Sequence, residues 1–148
     1  MIDEADIRMD ETLLEIRTYN GNGYKPLIDF GTWRVAILRY LDEIHPDRID
    51  SMERHMQTDE VFVLLQGRRV LIIGGNQSEV DGIHFQILEC GEVYNVKRSS
   101  WHTILLSHDA RILLVENRDT GKHNSEYIHL LPEQRRLISE LARRESFD

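Results

Sequence analysis

The run Glu53-Arg54-His55-Met56-Gln57-Thr58-Asp59-Glu60-Val61-Phe62-Val63-Leu64-Leu65-Gln66-Gly67 decides how this chain is read. It sets three side chains able to ligate a metal or move a proton, Glu53, His55 and Glu60, directly ahead of an apolar strand that stops at a glycine. Glu53 and His55 are two positions apart, so in an extended segment both point to one face, about 7 Å apart along the chain. Glu60 lies beyond a bend at Met56-Gln57-Thr58 and can return to the same space from the next strand. A metal needs about three or four such donors, so a fourth has to come from elsewhere.

Outward from this stretch the chain reads as short strands. Residues 61–65 form one and 69–73 another; the turn at Gln66-Gly67-Arg68 between them gives the pattern of a hairpin. Upstream, residues 32–41 are rich in β-branched and aromatic side chains that alternate along a strand. Downstream, strands are expected at residues 83–88, 92–96, 102–106 and 111–116, with turn signals between them. Regularly spaced short strands argue for an antiparallel sandwich or barrel. One helix is expected at residues 133–144, entered through Pro132, with Leu137, Ile138 and Leu141 on one side. It would cap the barrel or meet a second subunit. Residues 11–18 suit either a strand or a helix edge, Tyr19-Asn20-Gly21-Asn22-Gly23 a turn, and residues 43–48 a loop around His45-Pro46. Residues 117–125 read as an exposed polar loop with a solvated His123.

Composition narrows the function classes. A chain of 148 residues, 41% hydrophobic, suits a single domain with one core. The net charge of −8 repels a phosphate backbone, so nucleic acid is not an expected partner. The lone Cys90 rules out an internal disulfide and is expected as a small buried thiol. The acidic N-terminus lacks signal-peptide character and no apolar run approaches a membrane span, which gives a cytoplasmic protein with no membrane partner as the expectation. Gly74-Gly75 lacks the lysine and helix of a phosphate loop, and neither Ser99 nor Ser100 is set in a nucleophile elbow.

The candidate for the further donor is His102, in Ser99-Ser100-Trp101-His102-Thr103. With it the chain resembles the cupin superfamily. The first cupin motif runs Gly, five residues, His-x-His, four residues, Glu, six residues, Gly; His55, Glu60 and Gly67 match it, while Asp47 and Glu53 stand for its first glycine and first histidine. The second runs Gly, five residues, Pro-x-Gly, two residues, His, three residues, Asn; Gly91 and His102 match, while Lys97, Ser99 and Leu106 stand for proline, glycine and asparagine. The string from Thr58 to Gly67 is similar to a run found in many small bacterial cupins. The resemblance spans about residues 33–116. It implies an all-β, cupin-type antiparallel jelly-roll barrel (a double-stranded β-helix), with a C-terminal α-helix at about residues 132–145 of one domain over 1–148.

It also implies an interior site. Carried over by position, the ligands of a divalent metal would be Glu53, His55, Glu60 and His102, and two carboxylates with two imidazoles suit Fe, Mn, Ni or Zn. Glu53-Arg54-His55 with the later Trp101-His102 further resembles the ureidoglycolate lyase branch, which has proline at the place of Met56 and glutamine at that of Glu60. In that branch a neighbouring carboxylate and imidazole, here Glu53 and His55, would divide acid and base work. Arg34 and Arg39 are candidates to clamp a substrate carboxylate, and Tyr94 and Trp101 to line a pocket. His45, His84 and His108 are expected to be structural or solvated. The expected function is a metal-dependent enzyme on a small polar metabolite: a sugar, keto acid or ureido acid. A non-catalytic binding or sensor barrel and a metal-independent lyase stay open, and a homodimer is expected from the apolar stripe of the final helix.

Overall fold

The computed structural model describes residue 1 and residues 9–147. Ten strands and one helix follow in chain order: β1 Tyr24–Phe30, β2 Trp33–Arg39, β3 Ser51–His55, β4 Glu60–Gln66, β5 Arg69–Ile73, β6 His84–Ile87, β7 Val93–Val96, β8 His102–Leu106, β9 Arg111–Asn117, β10 Ser125–His129 and α1 Pro132–Arg144. They build two five-stranded antiparallel sheets, β1-β2-β9-β4-β7 and β10-β3-β8-β5-β6. The sheets face each other as a jelly-roll barrel. Residues 11–18 join neither sheet nor helix beyond a turn at their start.

Alternation along the strands sets the layers. In β9 every second side chain is buried, so Ile112, Leu114 and Glu116 point inward; β4 sends Glu60, Phe62 and Leu64 the same way. The interior is filled by Ala36, Phe62, Leu64, Leu71, Ile104, Leu106, Ile112 and Leu114. On the outer face of the second sheet, Met52, Val70, Ile72, Trp101 and Leu105 form a second core beneath Ile138, Ala142 and Phe147. The helix therefore spends its apolar stripe on its own chain, with Ile138 1% exposed. The described residues contain no helix long and apolar enough to cross a membrane.

Three expectations are corrected. β4 and β5 do not pair as a hairpin: they lie in different sheets, and the turn at Gly67 carries the chain across the barrel floor. Gly67 has φ +80°, and a Cβ there would meet the Ala110 Cα at 2.6 Å, so this crossing requires glycine. Strands β1 and β10 extend the barrel beyond residues 33–116. Pro26 disguises β1, but an edge strand tolerates a residue without an N–H. Cys90 is exposed rather than buried.

Candidate functional site

One end of the barrel interior is polar because the inward rows end in polar side chains at the same level. Arg34 precedes Ala36 and Leu38 in β2; Glu60 precedes Phe62 and Leu64 in β4; His102 precedes Ile104 and Leu106 in β8; Glu116 follows Ile112 and Leu114 in β9. Glu53 and His55 arrive from β3, where Glu53 pairs in register with His102. Together they line a cavity of about 420 Å³ that also takes in Tyr24 from β1 and Tyr127 from β10.

At its floor, Glu60 Oε2 lies 3.2 Å from His55 Nε2 and 3.0 Å from His102 Nε2. The far nitrogens are held as well: His102 Nδ1 lies 2.9 Å from the Ser100 carbonyl and His55 Nδ1 2.8 Å from Ser125 Oγ. A carbonyl only accepts, so His102 Nδ1 carries hydrogen and its Nε2 lone pair points at Glu60 in the neutral tautomer. Two acceptors would then face each other, and a proton or a cation resolves the conflict. Donor atoms of Glu53, His55 and His102, and of His55, Glu60 and Glu116, lie close enough for each trio to hold a metal ion.

The electrostatics separate the carboxylates. Burial would raise the Glu60 pKa, but the hydrogen bonds and charges of His102 and His55 outweigh it and bring it down to about 2. Both imidazoles move up: burial opposes their charge, and Glu60 overcomes it. Glu53 is raised by burial, with Glu60 adding to the shift against the pull of His102. One carboxylate is thus held anionic while its neighbour is biased toward the neutral acid.

A second network forms the wall. Arg34 donates through Nε and Nη2 to Glu116 Oε1 at 3.0 and 2.7 Å, and through Nη1 and Nη2 to the carbonyls of Arg118 and Thr120. Tyr24 donates its hydroxyl to the same Glu116 oxygen at 2.6 Å. Burial and Glu116 raise the Tyr24 pKa, which keeps that proton on the phenol.

No protein-family model matches the chain, and no curated protein matches it in sequence. Solved structures do match. Pac13, a nucleoside dehydratase, is 7% identical over 78% of this chain and 86% of that one, with a TM-score of 0.53. A variant of Streptomyces Pac13 with uridine is 8% identical over 78% and 85%, also at 0.53. A cupin-2 domain containing protein from Shewanella frigidimarina is 17% identical over 68% and 85%, with a TM-score of 0.48. This chain shares the β-barrel fold of Pac13.

The barrel brings Glu53, His55, Glu60, His102 and Arg34 into one cavity. Arg39, Tyr94 and Trp101 are not among its lining residues. Arg39 is five positions from Arg34, an odd separation that turns it to the other face of β2. Tyr94 points inward but packs against the apolar core, its oxygen accepting the Glu89 amide. Trp101 is buried in the outer core, donates Nε1–H to the Gln77 carbonyl and stacks under Arg54, 4.3 Å from its ring centre. The loop at residues 117–125 is less exposed than expected: Thr120 and Gly121 line the cavity mouth and Asn124 is buried.

Sequence reasoning missed Tyr24, Glu116 and Tyr127. Glu116 was detectable as a charged residue closing the alternating apolar row Ile112-Leu114. Ser99, standing where the cupin motif has glycine, adopts φ +69° and donates its amide to the His55 carbonyl at 2.8 Å.

Proposed function

We propose that the chain is an enzyme acting on a small, neutral, hydroxyl-rich metabolite of the sugar or nucleoside class. Its divalent metal centre would be held by His55, Glu60 and His102, with Glu53 beside them. The observation that carries this reading is the convergence of two oriented imidazole Nε2 atoms on one Glu60 oxygen. Histidines fixed through Nδ1 with Nε2 aimed at a shared carboxylate form a donor set suited to Fe(II), Mn(II), Ni(II) or Zn(II). Bound there, such an ion supplies Lewis acidity toward a substrate oxygen.

The protein's own groups account for binding and proton movement. Glu53, with its raised pKa, can give a proton to a leaving oxygen or receive one from a substrate hydroxyl. Tyr24 and Glu116 offer a hydroxyl and a carboxylate to substrate hydroxyls along the wall. Charge narrows the substrate class. Arg34, the permanent cation among the described lining residues, is spent on Glu116 and two carbonyls, while Glu53, Glu60 and Glu116 face the same space. Apart from the metal, a keto acid or ureido acid would find no free side-chain guanidinium or ammonium there, whereas a neutral polyol would find acceptors and donors. Pac13 with uridine offers an example of a nucleoside with a protein of this fold.

A second reading is favoured by the same Glu60 contacts. With both imidazoles protonated, Glu60 completes a satisfied network without metal, and Glu53 with His55 could run an elimination by acid and base alone. Elemental analysis of protein purified without added metal separates the two. A metal content near one equivalent, or saturable uptake abolished in His102→Ala, supports the metal centre; less than a tenth of an equivalent with no uptake ends it. Turnover of a panel of aldoses, nucleosides, keto acids and ureido acids separates enzyme from sensor, because saturable binding without product is the mark of a binding barrel.

We also propose a homodimer. The helix stripe that suggested one is covered by its own sheet, but Phe30, Trp33, Leu65 and Val93 of the first sheet are exposed. A monomer mass independent of concentration would refute it.

A further inference from the structure

At the barrel end away from the His/Glu cavity, β5 turns Arg69 inward. Its row of Arg69, Leu71 and Ile73 runs beside Leu106, Ile104 and His102 of β8, which sets Arg69 about 13 Å along the strand from the level of His102. The side chain is 0% exposed, and none of its three guanidinium nitrogens has a hydrogen-bond partner among the described residues. It lines a cavity of about 240 Å³ whose walls include Leu64, Ile87, Leu88 and Phe147.

Neighbouring Arg68 is accounted for, since it donates to the carbonyls of Glu145 and Ser146 at 2.7 Å and stacks on Phe147. Arg69 is not. Burial lowers its pKa to about 10, which leaves it cationic at neutral pH. An ionised guanidinium with no acceptor is among the costliest groups to bury, and its planar fork matches a two-oxygen anion.

We propose that this second cavity binds a small carboxylate, its oxygens on the Arg69 fork and its apolar tail against Leu64, Ile87, Leu88 and Phe147. The walls favour a ligand with a hydrocarbon end. Glu89 and Glu145 line the same cavity and disfavour a doubly charged phosphate. The site shares no lining residue with the His/Glu cavity, so it stands whether or not that cavity holds a metal.

The test is calorimetric titration of the full chain with butyrate, acetate and inorganic phosphate at constant ionic strength, in wild type, Arg69→Met and Ile87→Trp. Replacing an unpaired buried charge by an apolar chain of similar length should leave the fold intact, and Ile87→Trp narrows the cavity while keeping the arginine. The expected result is saturable butyrate binding, tighter than acetate or phosphate, weakened about tenfold or more in Arg69→Met and also reduced in Ile87→Trp. Absence of saturable butyrate binding by the wild type, equal affinity in Arg69→Met, or tighter phosphate than butyrate would overturn the proposal.

Discussion

Replacing Glu60 by glutamine keeps the shape of the side chain and removes the charge on which both imidazoles converge. In metal-free protein the fall of the Glu60 pKa from 4.5 to about 2 corresponds to about 3 kcal/mol of folding free energy, a large share of a typical domain's stability. The sign follows from proton counts. Between pH 4.5 and 2 the unfolded chain protonates this carboxyl while the folded chain does not, so the contribution is complete above pH 4.5 and lost as pH falls toward 2. His55 and His102 act in the opposite sense: with raised pKa values their contribution is complete below pH 6.5 and is lost as pH rises through their folded values. Wild type should therefore exceed Glu60→Gln most between pH 4.5 and 6.5, with the gap closing on both sides. Urea denaturation from pH 2.5 to 8 in the presence of a chelator, at fixed ionic strength, measures it. A gap that stays constant across that range would refute the ion-paired network, and a variant that still takes up metal as tightly as wild type would remove Glu60 from the centre.

Glu116→Gln should leave the Arg34 charge without its carboxylate at the cavity wall, so that carboxylate analogues of a bound polyol gain about tenfold in affinity; competition binding with a matched neutral and acidic pair checks it. Ser99→Gly should stabilise the fold by about 1 kcal/mol or less, because φ +69° suits glycine, with ligand affinity unchanged in the same titration. Ile138→Ala should cost about 2–4 kcal/mol in denaturant unfolding by opening a void between α1 and its sheet while leaving the cavity intact.

What the sequence made legible was the part governed by alternation and a short motif. β8 was bounded as the structure has it, β9 within a residue, and His55, Glu60 and His102 meet at one point. What stayed hidden depends on which sheet a strand joins. The row Leu64 to Leu71 has the local pattern of a hairpin, yet the Gly67 turn leads across the barrel instead of back along the same sheet. Tyr24 reaches Glu116 from an edge strand whose Pro26 and charged residues blur any alternation. Parity argues against Trp101 in the cavity, since it adjoins His102 and neighbours along a strand face opposite sides, and its packing in the outer core settles its place.

Parity also explains how one barrel can carry two unlike sites. The inward rows of β2, β4, β5, β8 and β9 are mostly apolar, and a polar residue falls at one end or the other. Rows in β2, β4, β8 and β9 end in Arg34, Glu60, His102 and Glu116 at the polar end of the barrel, where they line the first cavity. The β5 row alone among these ends in a charge at the floor, and its strand partner there is the apolar Leu106. No neighbouring row supplies a counter-charge at that level, so Arg69 has to find its acceptor off the sheet, through the cavity beneath the Gly67 turn. The mouth-side cavity is lined by three carboxylates, whereas the floor-side cavity holds the one buried guanidinium that lacks an acceptor among the described residues. The apolar residues Phe62, Leu71, Ile104 and Leu114 lie in the core between the two cavities, which share no lining residue.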